Sequence, residues 1–130
     1  YYGERFFDIM AQKLPPRVAE NISVVTSVPL HPRRFKQRGF NQSEILARGV
    51  AKRLGIEYDE LLKRTVYTRK QSLRKEHQSM NGCFEALKNV YGNVLLIDDV
   101  LTTGSTADGC ASELKAAGAE RVYVLTLAGG

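Results

Sequence analysis

The sequence predicts an α/β domain, a parallel sheet with helices on both of its faces. Three observations predict it. The run Val94-Leu95-Leu96-Ile97 is aliphatic without alternation, the pattern of a strand covered on both faces in a parallel sheet. Two further strand-like runs, Ile22 to Val28 and Arg121 to Leu127, lie before and after it. Between the runs are segments with apolar residues every three or four positions, so strands alternate with helices, and such crossovers join parallel strands.

Taken in order, Gly3 to Leu14 reads as a helix with Phe6, Met10 and Leu14 on one face, ended by Pro15-Pro16. Arg17 to Asn21 leaves room for one more helical turn. Ile22 to Val28 is rich in β-branched residues and reads as the first core strand. Pro29 and Pro32 close it and stiffen its exit. Asn41 is placed as an N-cap with Glu44 three residues on, and the helix runs to Leu54 with Leu46, Val50 and Leu54 inward and Gly55 as its stop. Ile56 to Thr68 holds short strands at Leu61-Leu62 and Thr65-Val66-Tyr67. Arg69 to Gln78 lacks apolar periodicity and reads as a mobile loop. Phe84 to Tyr91 leads through a turn at Gly92-Asn93 into the central strand. The last helix carries Ala107, Cys110, Ala111, Leu114 and Ala117 on its apolar face, and Gly118 stands where a C-cap is wanted.

At 130 residues the chain makes one domain with a single core. No run approaches a membrane span and no signal-peptide pattern opens it. Its two cysteines, Cys83 and Cys110, form no Cys-x-x-Cys pair; Cys110 reads as a small core residue, and this usage suits a reducing cytoplasm. The net charge of +5 is unevenly spread, with thirteen Lys or Arg and four Asp or Glu between His31 and Lys75. A segment so basic suits a polyphosphate or a nucleic acid backbone. For Arg48, Lys52 and Arg53, on the helix, a solvated face is the simpler reading.

The chemistry concentrates after the central strand. Asp98 and Asp99 follow Ile97 directly, and a small hydroxyl-rich turn, Thr102-Thr103-Gly104-Ser105-Thr106, opens the next helix. Ligands of open α/β sheets lie beyond the carboxyl ends of the strands, and a helix N-terminus there offers unpaired N–H groups to a phosphate. The two carboxylates would repel that phosphate. They suit vicinal hydroxyls instead, or a divalent cation held directly or through water. A ribose with a 5′-phosphate satisfies both halves. Receiver domains also place acidic residues after a strand, but early in the chain. A Walker-A loop requires Gly-x-x-x-x-Gly-Lys-Ser/Thr, which is absent. A purely structural turn tolerates paired carboxylates without needing them.

The stretch Val94 to Thr106 resembles the phosphoribosyl pyrophosphate (PRPP) signature of type I phosphoribosyltransferases. Val28-Pro29-Leu30-His31-Pro32-Arg33-Arg34-Phe35, Arg38-Gly39-Phe40-Asn41-Gln42 and Val122 to Ala128 resemble the competence-protein ComF branch of that superfamily. The resemblance runs from about Val24 to Ala128. It implies the single-domain, Rossmann-like fold of that superfamily, with a small hood formed by residues before Val24 and near Leu61 to Phe84. ComF-like proteins often carry a Cys-rich segment ahead of the transferase domain. With Tyr1 first and no Cys-x-x-Cys, the chain is expected to be a fragment, residues 1–130 being the transferase domain without that segment.

The resemblance further implies PRPP as substrate, Mg²⁺ as cofactor and an acceptor nitrogen of unknown identity. Asp98 and Asp99 become the candidate catalytic pair, and Thr102, Thr103, Gly104, Ser105 and Thr106 the 5′-phosphate loop. Leu30, His31, Arg33 and Arg34 become pyrophosphate candidates, joined by Arg74 and Lys75 from the loop expected to close over PRPP. His31 reads equally well as a solvated loop histidine. Arg38 and Gln42 are further cleft candidates, unexplained by capping. No direct protein ligand to a metal is assigned. The pattern after the loop, at Gln71, Leu73, Asn81, Gly82 and Phe84, departs from the ComF spacing. Because ComF-like proteins are associated with DNA uptake, a non-catalytic PRPP-binding or nucleic-acid-handling module is the alternative. DNA is then a partner. The oligomeric state stays open, a dimer included.

Overall fold

The computed structural model describes residues 11–29, 42–64, 84–100 and 105–128, with the backbone alone at Gln42, Asp99, Val100, Ser105, Thr106, Leu127 and Ala128. Its elements, in order, are α1 (Pro16–Ala19), β1 (Ile22–Ser27), α2 (Gln42–Leu54), β2 (Leu62–Arg64), β3 (Phe84–Ala86), β4 (Asn93–Val100), α3 (Ser105–Ala116) and β5 (Arg121–Ala128). Strands β1, β4 and β5 form one sheet in the order β1-β4-β5 with both pairings parallel. The expected parallel α/β architecture is therefore observed, with β4 central.

The two faces are covered by different helices. Leu95 and Ile97 of β4 pack with Leu46, Ala47, Val50 and Ala51 of α2. Val94 and Leu96 pack with Cys110 and Leu114 of α3. All four β4 side chains are fully buried, which explains the unbroken aliphatic run: a strand covered on both sides has no face for a polar residue. Each such side chain contributes about 1.5–3 kcal/mol of hydrophobic stabilisation. Leu14 and Val18 add to the α2 side. Residues 11 and 12 are helical and Pro16 begins a separate turn, as the diproline required. The remainder of the expected first helix, with Phe6 and Met10, lies outside the described residues.

Both helices stop as their glycines dictate. Gly55 has φ +71° and Gly118 φ +123°. At each, the following amide bonds back into the last turn, Ile56 N–H to Ala51 O at 2.9 Å and Ala119 N–H to Leu114 O at 3.0 Å. Gly118 is more tightly constrained, because a Cβ there would collide with the Val90 carbonyl oxygen.

Two features were not legible in the sequence. Segment 57–59 pairs along the outer edge of β1: the Val25 amide donates to Glu57 O at 2.9 Å and the Asp59 amide to Val25 O at 3.0 Å. Phe84–Ala86, expected to be a lead-in to the turn, is β3, antiparallel to β2. These three-residue pieces are too short to show a period, and their pairing is decided by partners far away in sequence. The expected strand at Leu61-Leu62 begins at Leu62; its companion at 65–67 and the expected loop at 69–78 lie outside the described residues. The β2–β3 ribbon covers the α3 side of the sheet through Leu61, Leu62 and Phe84. The Leu61 amide donates to the buried Thr26 Oγ1 at 3.3 Å.

Gly118→Ala is expected to destabilise the fold by about 1–3 kcal/mol, from positive φ and the Val90 clash together. Gly55→Ala, with open space at its Cβ, should cost about 1 kcal/mol. Urea unfolding of the two variants checks that order.

Candidate functional site

Parallel strands bring their carboxyl ends to one edge. Ser27, Val28 and Pro29 stand there for β1, Asp98 to Val100 for β4, and Thr126 to Ala128 for β5. The chain leaves β1 and β4 at this edge and returns through α2 and α3, so both helices start beside it, one on each face, with their positive dipole ends toward it. The Val28 amide donates to Ile97 O at 3.0 Å, which fixes the exit of β1 beside the residue before Asp98.

Asp98 is in register with Thr126 of β5. It is only 6% exposed and is not left unpartnered, as a buried charge requires. Its negative charge bears on the Cys110 thiol of α3, which places it on the α3 side of β4. Asp98, half of the acidic pair named from sequence, is thus largely covered by its neighbours. The cause is position, since a central strand has a neighbour on each side. Cys110 is itself fully buried, the core residue it was expected to be. Burial, with a smaller contribution from Asp98, pushes its thiol up to about 12, while Arg64 pulls it back. It is therefore inert as a nucleophile at neutral pH.

Asp99 completes the acidic pair within β4, Ser105 and Thr106 open α3, and Gln42 opens α2. These residues are brought to the same edge by their backbones. Leu30, His31, Arg33, Arg34, Arg38, Arg74, Lys75, Thr102, Thr103 and Gly104 lie outside the described residues, as does the Asn41 cap.

Two described side chains near this edge went unanticipated. Arg64 ends β2 with its guanidinium 5.1 Å from the Phe84 ring centroid, and its charge reaches Cys110 as that of Asp98 does. Tyr58 shares a 3.0 Å hydrogen bond with Ser27 Oγ and lies 4.5 Å beneath the Arg48 guanidinium. Nothing in the local sequence Ile-Glu-Tyr-Asp-Glu announces the strand edge that positions Tyr58.

Among the described residues no group of three or more His, Cys, Asp or Glu is arranged to hold a metal. Among them, too, no helix is long and apolar enough to cross a membrane.

The family model of the phosphoribosyl transferase domain matches residues 41–130. This chain belongs to that family. Among curated proteins it is 37% identical over 108 residues to DNA utilization protein YhgH of Escherichia coli, covering 79% of this chain and 48% of that protein. It is 33% identical over 112 residues to Competence protein F of Haemophilus influenzae, covering 80% and 49%. The kinship with the ComF branch is thereby borne out, and the chain spans about half the length of the curated relatives it matches. Among solved structures it is similar to glutamine PRPP amidotransferase from B. subtilis complexed with ADP and GMP, with a TM-score of 0.64 at 25% identity over 96% of this chain and 26% of that one. The phosphoribosyltransferase fold is thus shown by sequence and by shape.

The Cys110 thiol gives a pH signature. An unfolded chain ionises it near 9, whereas the fold holds the proton to about 12. Its contribution to stability is therefore complete below pH 9 and is lost as pH rises from there toward 12, at up to about 1.4 kcal/mol per pH unit. Denaturant unfolding between pH 8 and 10.5 should show wild type weakening more steeply than Cys110→Ala. Parallel slopes would contradict the assignment.

Proposed function

We propose that this chain binds PRPP together with Mg²⁺ and transfers the phosphoribosyl group to a nitrogen acceptor. The observation that carries this reading is the Asp98-Asp99 pair at the carboxyl end of the central parallel strand, followed closely by the start of α3. That arrangement brings the two acidic residues and the first residues of α3 to one edge, and carboxylates beside helix-end amides suit a ribose carrying a 5′-phosphate. Family membership and the similarity to a PRPP amidotransferase support it.

In the proposed reaction the bond from ribose C1 to pyrophosphate breaks, and its electron pair leaves with the pyrophosphate oxygen. The acceptor nitrogen donates its lone pair to C1 and gives up a proton. Positive charge grows on the ring and negative charge on the leaving group, so catalysis is mainly positioning and electrostatics. Asp98 and Asp99 accept hydrogen bonds from the ribose hydroxyls and stabilise the cationic ring. The amides and hydroxyls of Thr102 to Thr106 bind the 5′-phosphate. Leu30, His31, Arg33 and Arg34, with Arg74 and Lys75, are assigned to the pyrophosphate, and Arg38 and Gln42 to the rim of the cleft. Two adjacent carboxylates match Mg²⁺, which takes one or two carboxylates plus substrate oxygens and keeps its remaining waters. When bound it would neutralise pyrophosphate charge, held by Asp98 and Asp99 through water.

A second reading is a PRPP-binding or nucleic-acid-handling module without turnover. The names of the relatives, a DNA utilization protein and a competence protein, favour it. Two described cations of the basic segment already have acidic partners, Arg48 with Glu44 and Lys63 with Glu85. Those two cations are the less available to a nucleic acid backbone.

Calorimetry with PRPP and Mg²⁺ should give saturable binding, weakened about tenfold or more by Asp99→Asn and by Asp98→Asn. No heat at millimolar PRPP would refute the assignment. An effect of Asp99→Asn alone would make Asp98 a structural anchor. Pyrophosphate release across a panel of bases and amines separates transferase from module. Binding to single-stranded DNA with a steep salt dependence would favour the second reading.

A further inference from the structure

The last two residues of β1 both carry hydroxyls, and segment 57–61 takes hold of both. Thr26, fully buried, accepts the Leu61 amide at 3.3 Å on the α3 side of the sheet. Ser27, 7% exposed, shares a 3.0 Å hydrogen bond with the Tyr58 hydroxyl. Tyr58 packs against the α2-side core and is itself held on three sides. Its backbone neighbours bond to Val25, through Glu57 O at 2.9 Å and the Asp59 amide at 3.0 Å. Arg48 covers its ring at 4.5 Å and is anchored in turn by Glu44 at 2.9 Å. Lys88 ties down Asp59 at 3.0 Å.

Structural packing alone would be served by phenylalanine at this position. The hydroxyl is spent on the residue that pairs with Ile97 and precedes Val28, whose amide bonds Ile97 O. Through that ladder the position of the β1 end is linked to the backbone just before Asp98. We infer that Tyr58 is a positioning residue for PRPP binding: its hydroxyl, through Ser27 Oγ, fixes the carboxyl end of β1 against β4 at the height of Asp98. This rests on the proposed PRPP reading and adds to it a residue that contacts no substrate.

The test measures PRPP affinity in Mg²⁺ by calorimetry at 25 °C, with thermal midpoints recorded in parallel. Tyr58→Phe is expected to bind PRPP roughly fivefold more weakly, the worth of one hydrogen bond transmitted to the site. Ser27→Ala should weaken it by a similar factor, and the double variant no further, because both remove the same bond. All variants should remain folded at the assay temperature. A role confined to stability would lower the thermal midpoint of Tyr58→Phe and leave its affinity at the wild-type value, and that result overturns the inference while leaving the proposed function standing. Additive losses in the double variant overturn it as well. Absence of PRPP binding by wild type overturns both.

Discussion

The position of β4 is the constraint on which the rest of the molecule depends. It is bonded in parallel to β1 on one edge and β5 on the other, and its four residues from Val94 to Ile97 are fully buried between α2 and α3. A strand enclosed on four sides has no place for polar side chains along its length, only at its ends. The first carboxylate therefore appears where the hydrophobic run stops, and parallel pairing puts that point level with the exits of both neighbours.

The same enclosure shapes the electrostatics. Asp98 comes at the boundary between core and edge, keeps little exposure and acts on a thiol in the core. Arg64, arriving from the β2–β3 ribbon, acts on the same thiol with the opposite sign. A carboxylate at such a boundary is held by its surroundings, as burial of a charge requires.

Residues 57–61 show how a short irregular segment acquires a structural task. It extends the sheet beyond β1 by a few bonds and meets one β1 hydroxyl on each face of the sheet. It also ties the α2 surface, through Arg48 and Glu44, to the outer edge of β1.

The core strands, the 42–54 helix, the 105–116 helix and their glycine stops were all legible in the sequence, because aliphatic runs, helical periods and positive-φ glycines are local signals. So was the place of the acidic pair at the end of the central strand, since the aliphatic run directly before it marks that end. Tertiary structure alone decided the burial of Asp98, the pairing of β2 with β3, and the partners of Tyr58 and Arg64. Each of these depends on which distant segment lies alongside: Ser27 and Tyr58 are 31 residues apart, and Thr26 and Leu61 are 35 apart. Burial of a polar group and the pairing of three-residue strands are set by such neighbours, and no periodicity in the chain encodes them.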